Sequence, residues 1–367
     1  MSSTPSAAPS VTPPGRLGHP EYELRTDPRS DPRMVAALAP FGIDGLADPA
    51  PVSPDDPLEA RLAFVAAAEE GFEALFAGLV AGLPPVPGIS RSTETIPGAG
   101  GDEIRLYVSR PEGSEGTVLP GILHVHGGGM TLLGASGPAY ARFRDELAAT
   151  GMVVVGVEFR NAAGVLGTHP FPAGLDDCAT ALDWMHANRD RLGVSTLLLA
   201  GESGGANLIL ATTLRAKREG RLDAIAGVYA MVPFISGAYG WSDERKAAEL
   251  PSLLENDGYF ITNSINAVIV SLYDPDGRNP QNPLCWPYWA DEEDLAGLPP
   301  HVITVNELDP LRDEGLAYHR KLARAGVDVV GRDVLGICHG GEIMFRAAMP
   351  AMYLTTVRDV RAFADRL

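Results

Sequence analysis

Leu197-Leu198-Leu199-Ala200-Gly201-Glu202-Ser203-Gly204-Gly205-Ala206-Asn207-Leu208 is an apolar run that passes into a Gly-x-Ser-x-Gly turn and then into a helical pattern. A turn of this kind between a buried strand and a helix holds its serine in a strained backbone conformation, with the hydroxyl above the sheet edge. Glycine at 201 and 205 avoids the Cβ clashes of so tight a turn. Two glycines and a serine are common residues, so the pentapeptide alone leaves a chance match as open as a nucleophile. The strand before it and the helix after it favour the nucleophile.

Outward from this stretch, short apolar runs alternate with helical patterns. Glu103–Val108 and Gly121–Val125 read as strands, as do Met152–Phe159, Ala224–Val232, Val302–Val305 and Val327–Val334. Helices are predicted across Tyr140–Ala149, Leu175–Arg189, the residues after Ser203, Glu314–Ala325 and from Ile343 onward. The alternation predicts an α/β fold with a mostly parallel central sheet covered on both faces. Upstream, Leu58, Leu62, Val65, Phe72, Phe76 and Leu79 recur at helical spacing with charges between them, which predicts an amphipathic helix. Leu83–Gly88 is a proline-rich connector that ends it. Residues 1–33 are rich in proline, serine and charge, with Pro5, Pro9, Pro13 and Pro14, and are expected to form a flexible or extended arm. Between Ser236 and Trp289 the rhythm breaks into an aromatic, loop-like stretch holding Tyr239, Trp241, Tyr259, Phe260, Tyr273, Trp286, Tyr288 and Trp289. These are expected to face a substrate as a lid, against the alternative that they form the core of a small insertion.

The chain has 367 residues, a net charge of −18 and three cysteines, Cys178, Cys285 and Cys338. That charge repels polyphosphate and anionic lipid, so neither nucleic acid nor a membrane is expected as a partner. The cysteines are too few, and too irregularly spaced, for a disulfide framework or a zinc site. The N-terminal residues lack the basic and apolar regions of a secretory signal, and a cytoplasmic location is the expectation. Ala224–Trp241 is uncharged, but Gly227, Pro233 and Gly237 interrupt it, so a buried strand and a loop are expected there rather than a membrane span.

A serine hydroxyl needs a base within hydrogen-bond reach. Among eight histidines, His339 stands out because Leu335-Gly336-Ile337-Cys338-His339-Gly340-Gly341 follows the last predicted strand in a glycine-rich loop. A carboxylate must orient that base, and Glu307, Asp309, Asp313 and Glu314 all follow the preceding strand. Asp309 lies where strand passes to helix, but Asp-Pro is equally a helix-start signal, so spacing favours it over Asp313 only modestly. His126-Gly127-Gly128-Gly129 follows the Gly121 strand, and its backbone N–H groups can meet an oxyanion together with the amide of Gly204. One such donor contributes about 3 to 4 kcal/mol to the transition state.

His126–Gly129, Gly201–Gly205, Asp309–Gly315 and the Gly-x-x-His-Gly at 336–340, with His169–Pro172 and Asp177-Cys178, together resemble the bacterial hormone-sensitive-lipase family of α/β-hydrolase carboxylesterases. The similarity runs from about Val86 to the C-terminus. It implies a triad of Ser203, Asp309 and His339, with Gly127, Gly128 and Gly204 as oxyanion donors. It also implies a helical cap built from residues 34–90 and the insertion 237–289, set on a catalytic domain of residues 91–236 and 290–367. Gly204 departs from the family, which more often has alanine there. The implied activity is hydrolysis of a small-molecule carboxylic ester without metal or organic cofactor, with a bulky or ring-containing ester, such as a macrolactone or an aromatic diester, as the expected substrate. Amidase or lactonase chemistry could use the same residues. Plant gibberellin receptors resemble the family but lack the base, whereas His339 is present here. A homodimer through the edge strand near Val327 is a further family-level expectation.

Overall fold

The computed structural model describes residues 12–367. Eight strands form one sheet: β1 (Ile89–Pro97), β2 (Glu103–Pro111), β3 (Leu119–Val125), β4 (Val153–Glu158), β5 (Val194–Glu202), β6 (Gly227–Met231), β7 (His301–Asn306) and β8 (Val329–Val334). Their order across the sheet is β1-β2-β4-β3-β5-β6-β7-β8. β1 and β2 are antiparallel, β2 is antiparallel to β4, and every later junction is parallel. β4, β6 and β7 are buried along nearly their whole length, as strands covered by helices on both faces must be. Ser203, the 127–129 glycines, Asp309 and His339 follow β5, β3, β7 and β8, so all lie beyond carboxyl ends of parallel strands.

The strands expected from the sequence are present, and β1 is added to them. Its residues Ser90-Arg91-Ser92-Thr93-Glu94-Thr95 lie on the sheet edge and are mostly exposed, so no apolar alternation betrays them. The closing helix is two helices, Gly341–Met344 and Pro350–Ala364, because Pro350 starts a new helix at its first turn. The Leu58–Val80 helix forms as expected, but Glu69 breaks its polar face. Glu69 is buried and accepts hydrogen bonds from the backbone N–H groups of Leu133 (2.7 Å) and Val165 (2.8 Å), which lie outside the ladder.

Of the two alternatives for the N-terminal arm, flexible or extended, residues 12–33 are a packed segment of turns, irregular chain and short helical pieces, and Pro5 and Pro9 lie outside the described residues. Helical segments occupy Gly15–Gly18 and Pro32–Leu38, and Leu24 and Met34 are wholly buried. Arg29 fastens this segment: its guanidinium donates to both oxygens of Asp27 (3.0 and 2.7 Å) and to Glu255, across the molecule. The Tyr259 hydroxyl donates to Asp27 as well, at 3.0 Å. Charge pairing lets a polar, proline-rich stretch be buried, which composition alone does not reveal. Asp27 has no exposed side-chain surface and no other cation among the described residues, so Arg29→Met leaves a buried carboxylate unpaired, whereas Glu255 keeps Arg312 (2.8 and 3.0 Å). Stability to urea should fall by about 3 kcal/mol; an unchanged midpoint would show that the Arg29 pairing contributes nothing.

Candidate active site

Ser203 occupies the turn between β5 and the Gly204–Arg218 helix at φ +54° and ψ −120°, a conformation that non-glycine residues rarely adopt. Its N–H donates to Met231 on β6 (2.9 Å), and its carbonyl accepts from Asn207 (3.1 Å) and Phe234 (3.2 Å). The flanking glycines are sterically required. A Cβ on Gly201 would lie 2.7 Å from the Gly205 carbonyl, and one on Gly205 would lie 2.1 Å from the Val125 carbonyl oxygen.

His339 Nε2 lies 2.9 Å from Ser203 Oγ, and its Nδ1 lies 2.8 Å from Asp309 Oδ2. All three side chains are buried. Burial acts to lower the His339 pKa, but the Asp309 carboxylate, with Glu342 and Glu314 behind it, offsets it and leaves the imidazole above its ordinary 6.5. The other oxygen of Asp309 accepts from the Leu311 N–H at 2.8 Å, so one carboxylate both starts the following turn and orients the ring. The His339 loop is held from behind by Asn306, whose Nδ2 donates to the Cys338 carbonyl and to Glu342 Oε2, each at 2.8 Å. Burial pushes the Cys338 thiol up, so it stays protonated beside the imidazole.

The remaining acids of that stretch are structural. Glu307 accepts from the Gly336 N–H (2.8 Å), and Asp313 accepts from the Ser252 N–H (2.7 Å). Glu314 accepts from Ile235 N (3.0 Å), Ser236 N (3.1 Å) and the Tyr239 hydroxyl (2.9 Å). Asp313 is the second residue of the Arg312–Arg324 helix and points away from His339 toward Ser252.

Ser203 and His339 open into a cavity whose walls are mostly apolar, with Tyr140, Glu202 and Asn266 as its other polar side chains. Phe72 and Phe76 come from the Leu58–Val80 helix, Leu132 and Leu133 from the loop after β3, and Ile265 and Ile269 from the Asn263–Tyr273 helix. Of the eight insertion aromatics expected to face a substrate, Phe260 alone lines this cavity. Tyr239, Tyr259, Tyr273 and Trp286 are fully buried, and Trp241, Tyr288 and Trp289 pack on one another. The insertion thus spends most of its aromatics on its own core. Aromatic wall is supplied instead by Phe72, Phe76, Tyr140 and Phe234, which composition did not single out.

A family model of the α/β hydrolase fold matches residues 122–342. The structure of brefeldin A esterase, described as a bacterial homologue of human hormone-sensitive lipase, superposes with a TM-score of 0.94 at 53% identity, covering 96% of this chain and 98% of that one. The chain belongs to the α/β-hydrolase fold family, among its hormone-sensitive-lipase-like esterases. The structure of esterase Est22 gives a TM-score of 0.82 at 34% identity over 94% of this chain and 99% of that one. Carboxylesterase NlhH of Mycobacterium tuberculosis is 30% identical over 254 residues, 68% of this chain and 74% of its own length.

Within this α/β hydrolase, the expectation that Gly127 donates to an oxyanion meets a structural conflict. Its N–H already donates to Glu202 Oε1, so it is not free. Burial pushes the Glu202 carboxyl up to about 8, against the opposing effect of the Gly127 N–H and the Tyr140 hydroxyl. His126 is likewise a structural group. It stacks on Phe159 with ring centres 4.3 Å apart, its Nδ1 lies 2.8 Å from the Gly127 carbonyl, and burial lowers its pKa to about 4. Gly128 and Gly129 both adopt positive φ (+97° and +60°) and line the cavity beside Ser203. Three glycines in a row do not say which amide is already engaged; the contact with Glu202 decides it for Gly127.

Gly204, where the family more often has alanine, is tightly surrounded. A Cβ there would lie 2.5 Å from Met130 N and 2.7 Å from Gly129 N, both backbone atoms. Gly204→Ala should therefore displace the Gly129–Met130 backbone and lower kcat for an activated ester at least tenfold, by misplacing donors near Ser203. Wild-type kcat in that variant would show that the loop yields without consequence.

Glu202 gives a second test through pH. A carboxyl protonated in the fold up to about 8, but ionised above about 4.5 when unfolded, makes the folded state lose stability as pH rises through that window. Glu202→Gln has no such proton to lose. Wild type should lose more stability than the variant between pH 5 and 8, and parallel curves in urea titrations at the two pH values would contradict this.

Proposed function

We propose that this chain is a serine carboxylesterase in which Ser203, His339 and Asp309 act as a triad. The observation that carries the reading is His339 bridging Ser203 Oγ and Asp309 Oδ2 at the floor of an apolar cavity. Ser203 Oγ attacks the ester carbonyl carbon as its proton passes to His339 Nε2, and Asp309 holds the ring and balances the imidazolium. The negative charge on the carbonyl oxygen is met by the N–H groups of Gly128, Gly129 and Gly204. His339 then gives its proton to the departing alkoxide, leaving an acyl-enzyme. Water, deprotonated by His339, attacks that acyl carbon and frees the acid and Ser203.

The cap is assigned to residues 34–90 and 237–289 over a catalytic domain of 91–236 and 290–367. Phe72, Phe76, Phe260 and Ile269 support that division, because they reach the cavity from outside the sheet domain. Apolar and aromatic walls favour a medium-sized ester with a bulky or ring-containing body over a charged one. An amidase would use the same three residues, and comparing an ester with its matched amide separates the two.

Ser203→Ala should abolish turnover of an activated ester, with its circular dichroism unchanged. Retained turnover would overturn the assignment. A base must be neutral to accept a proton, so activity should rise with pH through the raised pKa of His339. The acid limb of kcat/KM is expected to have its midpoint above 6.5, and a midpoint below that value would contradict the His339–Asp309 coupling.

A further inference from the structure

Ile265-Asn266-Ala267-Val268-Ile269-Val270 is apolar except for one amide, on the Asn263–Tyr273 helix. Asn266 is 2% exposed and lies in the cavity wall between Ile265 and Ile269. Its backbone N–H is satisfied by the Thr262 carbonyl at 3.0 Å. Its side chain is not: Nδ2 is buried and has no hydrogen-bond partner among the described residues. The other polar side chains of the wall, Tyr140, Glu202, Ser203 and His339, belong to the catalytic end, and the lining groups beside Asn266 are hydrocarbon.

A buried amide without a partner is destabilising, and an apolar side chain would fill this wall without that loss. A group that completes the amide's hydrogen bonding on binding recovers the missing interaction. A site built this way rejects an analogue lacking the matching oxygen much more strongly than a purely apolar pocket rejects a missing methylene.

We propose that Asn266 is a specificity-determining residue that hydrogen-bonds a second oxygen of the substrate, set apart from the scissile ester by apolar carbons. The inference rests on the esterase reading and narrows it. The preferred substrate is an ester whose hydrophobic body carries a carbonyl, ether or hydroxyl oxygen, rather than a plain hydrocarbon ester.

The test compares p-nitrophenyl hexanoate with its 4-oxo and 5-oxo analogues, and hexyl acetate with its 4-oxohexyl and 5-oxohexyl analogues. In wild type, at least one oxo ester should exceed its parent about tenfold in kcat/KM. In Asn266→Leu that ratio should fall to within about twofold of unity. A wild type that treats every oxo ester as no better than its parent overturns the proposal, as does a preference that survives in Asn266→Leu. The wild-type ratio decides even where Asn266→Leu fails to fold. Calorimetric binding of the same pairs to Ser203→Ala separates this proposal from the esterase reading. If no ester is hydrolysed, tighter binding of an oxo ester still supports the role of Asn266, and equal binding of all pairs refutes it.

Discussion

The close approach of the Gly204–Arg218 helix to the end of β3 is the constraint on which the site depends. Gly205 faces the Val125 carbonyl so closely that no Cβ fits, and Gly201 faces Gly205 in the same way. Only with both side chains absent can the chain turn sharply enough to hold Ser203 at φ +54°. That strain is sustained by backbone hydrogen bonds from Ser203 to Met231 and from Asn207 and Phe234 to Ser203. The same approach brings Gly204 against Gly129 and Met130, so nucleophile and glycine loop share one set of contacts.

Around this centre, buried carboxylates serve as acceptors for loop backbone that the sheet does not satisfy. Glu69 serves Leu133 and Val165, Glu202 serves Gly127, and Glu314 serves Ile235 and Ser236. Leaving such N–H groups unpaired in the interior is costly, which explains acids at positions where a core would otherwise be hydrocarbon. In Glu202 and Glu314 burial raises the carboxyl to about 8, so these acceptors need not carry a charge near neutrality. Glu69 thereby joins the Leu58–Val80 helix to the loop after β3 that lines the cavity, and Glu314 joins the Arg312–Arg324 helix to the residues that lead into the insertion.

Much of the sheet was legible because its strands are buried on both faces and read as continuous apolar runs. β1 was not, since an edge strand of serine, threonine and charge carries no such pattern. The strand-end logic placed Ser203 and His339 correctly relative to the sheet, but it left Asp309 and Asp313 close rivals. Their separation comes from orientation: one reaches the imidazole, the other reaches Ser252. The aromatic insertion misled for a related reason. Composition records that eight large rings are present, not which side of a chain segment they take, and most of them turned inward.

By itself, then, the sequence determined the α/β alternation, the glycine-flanked serine, and a histidine in a loop beyond the last strand. Those features are local: they follow from periodicity and from the few residues a tight turn admits. Tertiary structure alone decided that Gly127 is engaged by Glu202, that Arg29 fastens a polar N-terminal segment, and that Asn266 stands unpartnered in an apolar wall. Each of these depends on which groups from distant parts of the chain meet in the interior. Hydrogen-bond satisfaction there is a property of the packed whole, and no window of sequence contains it.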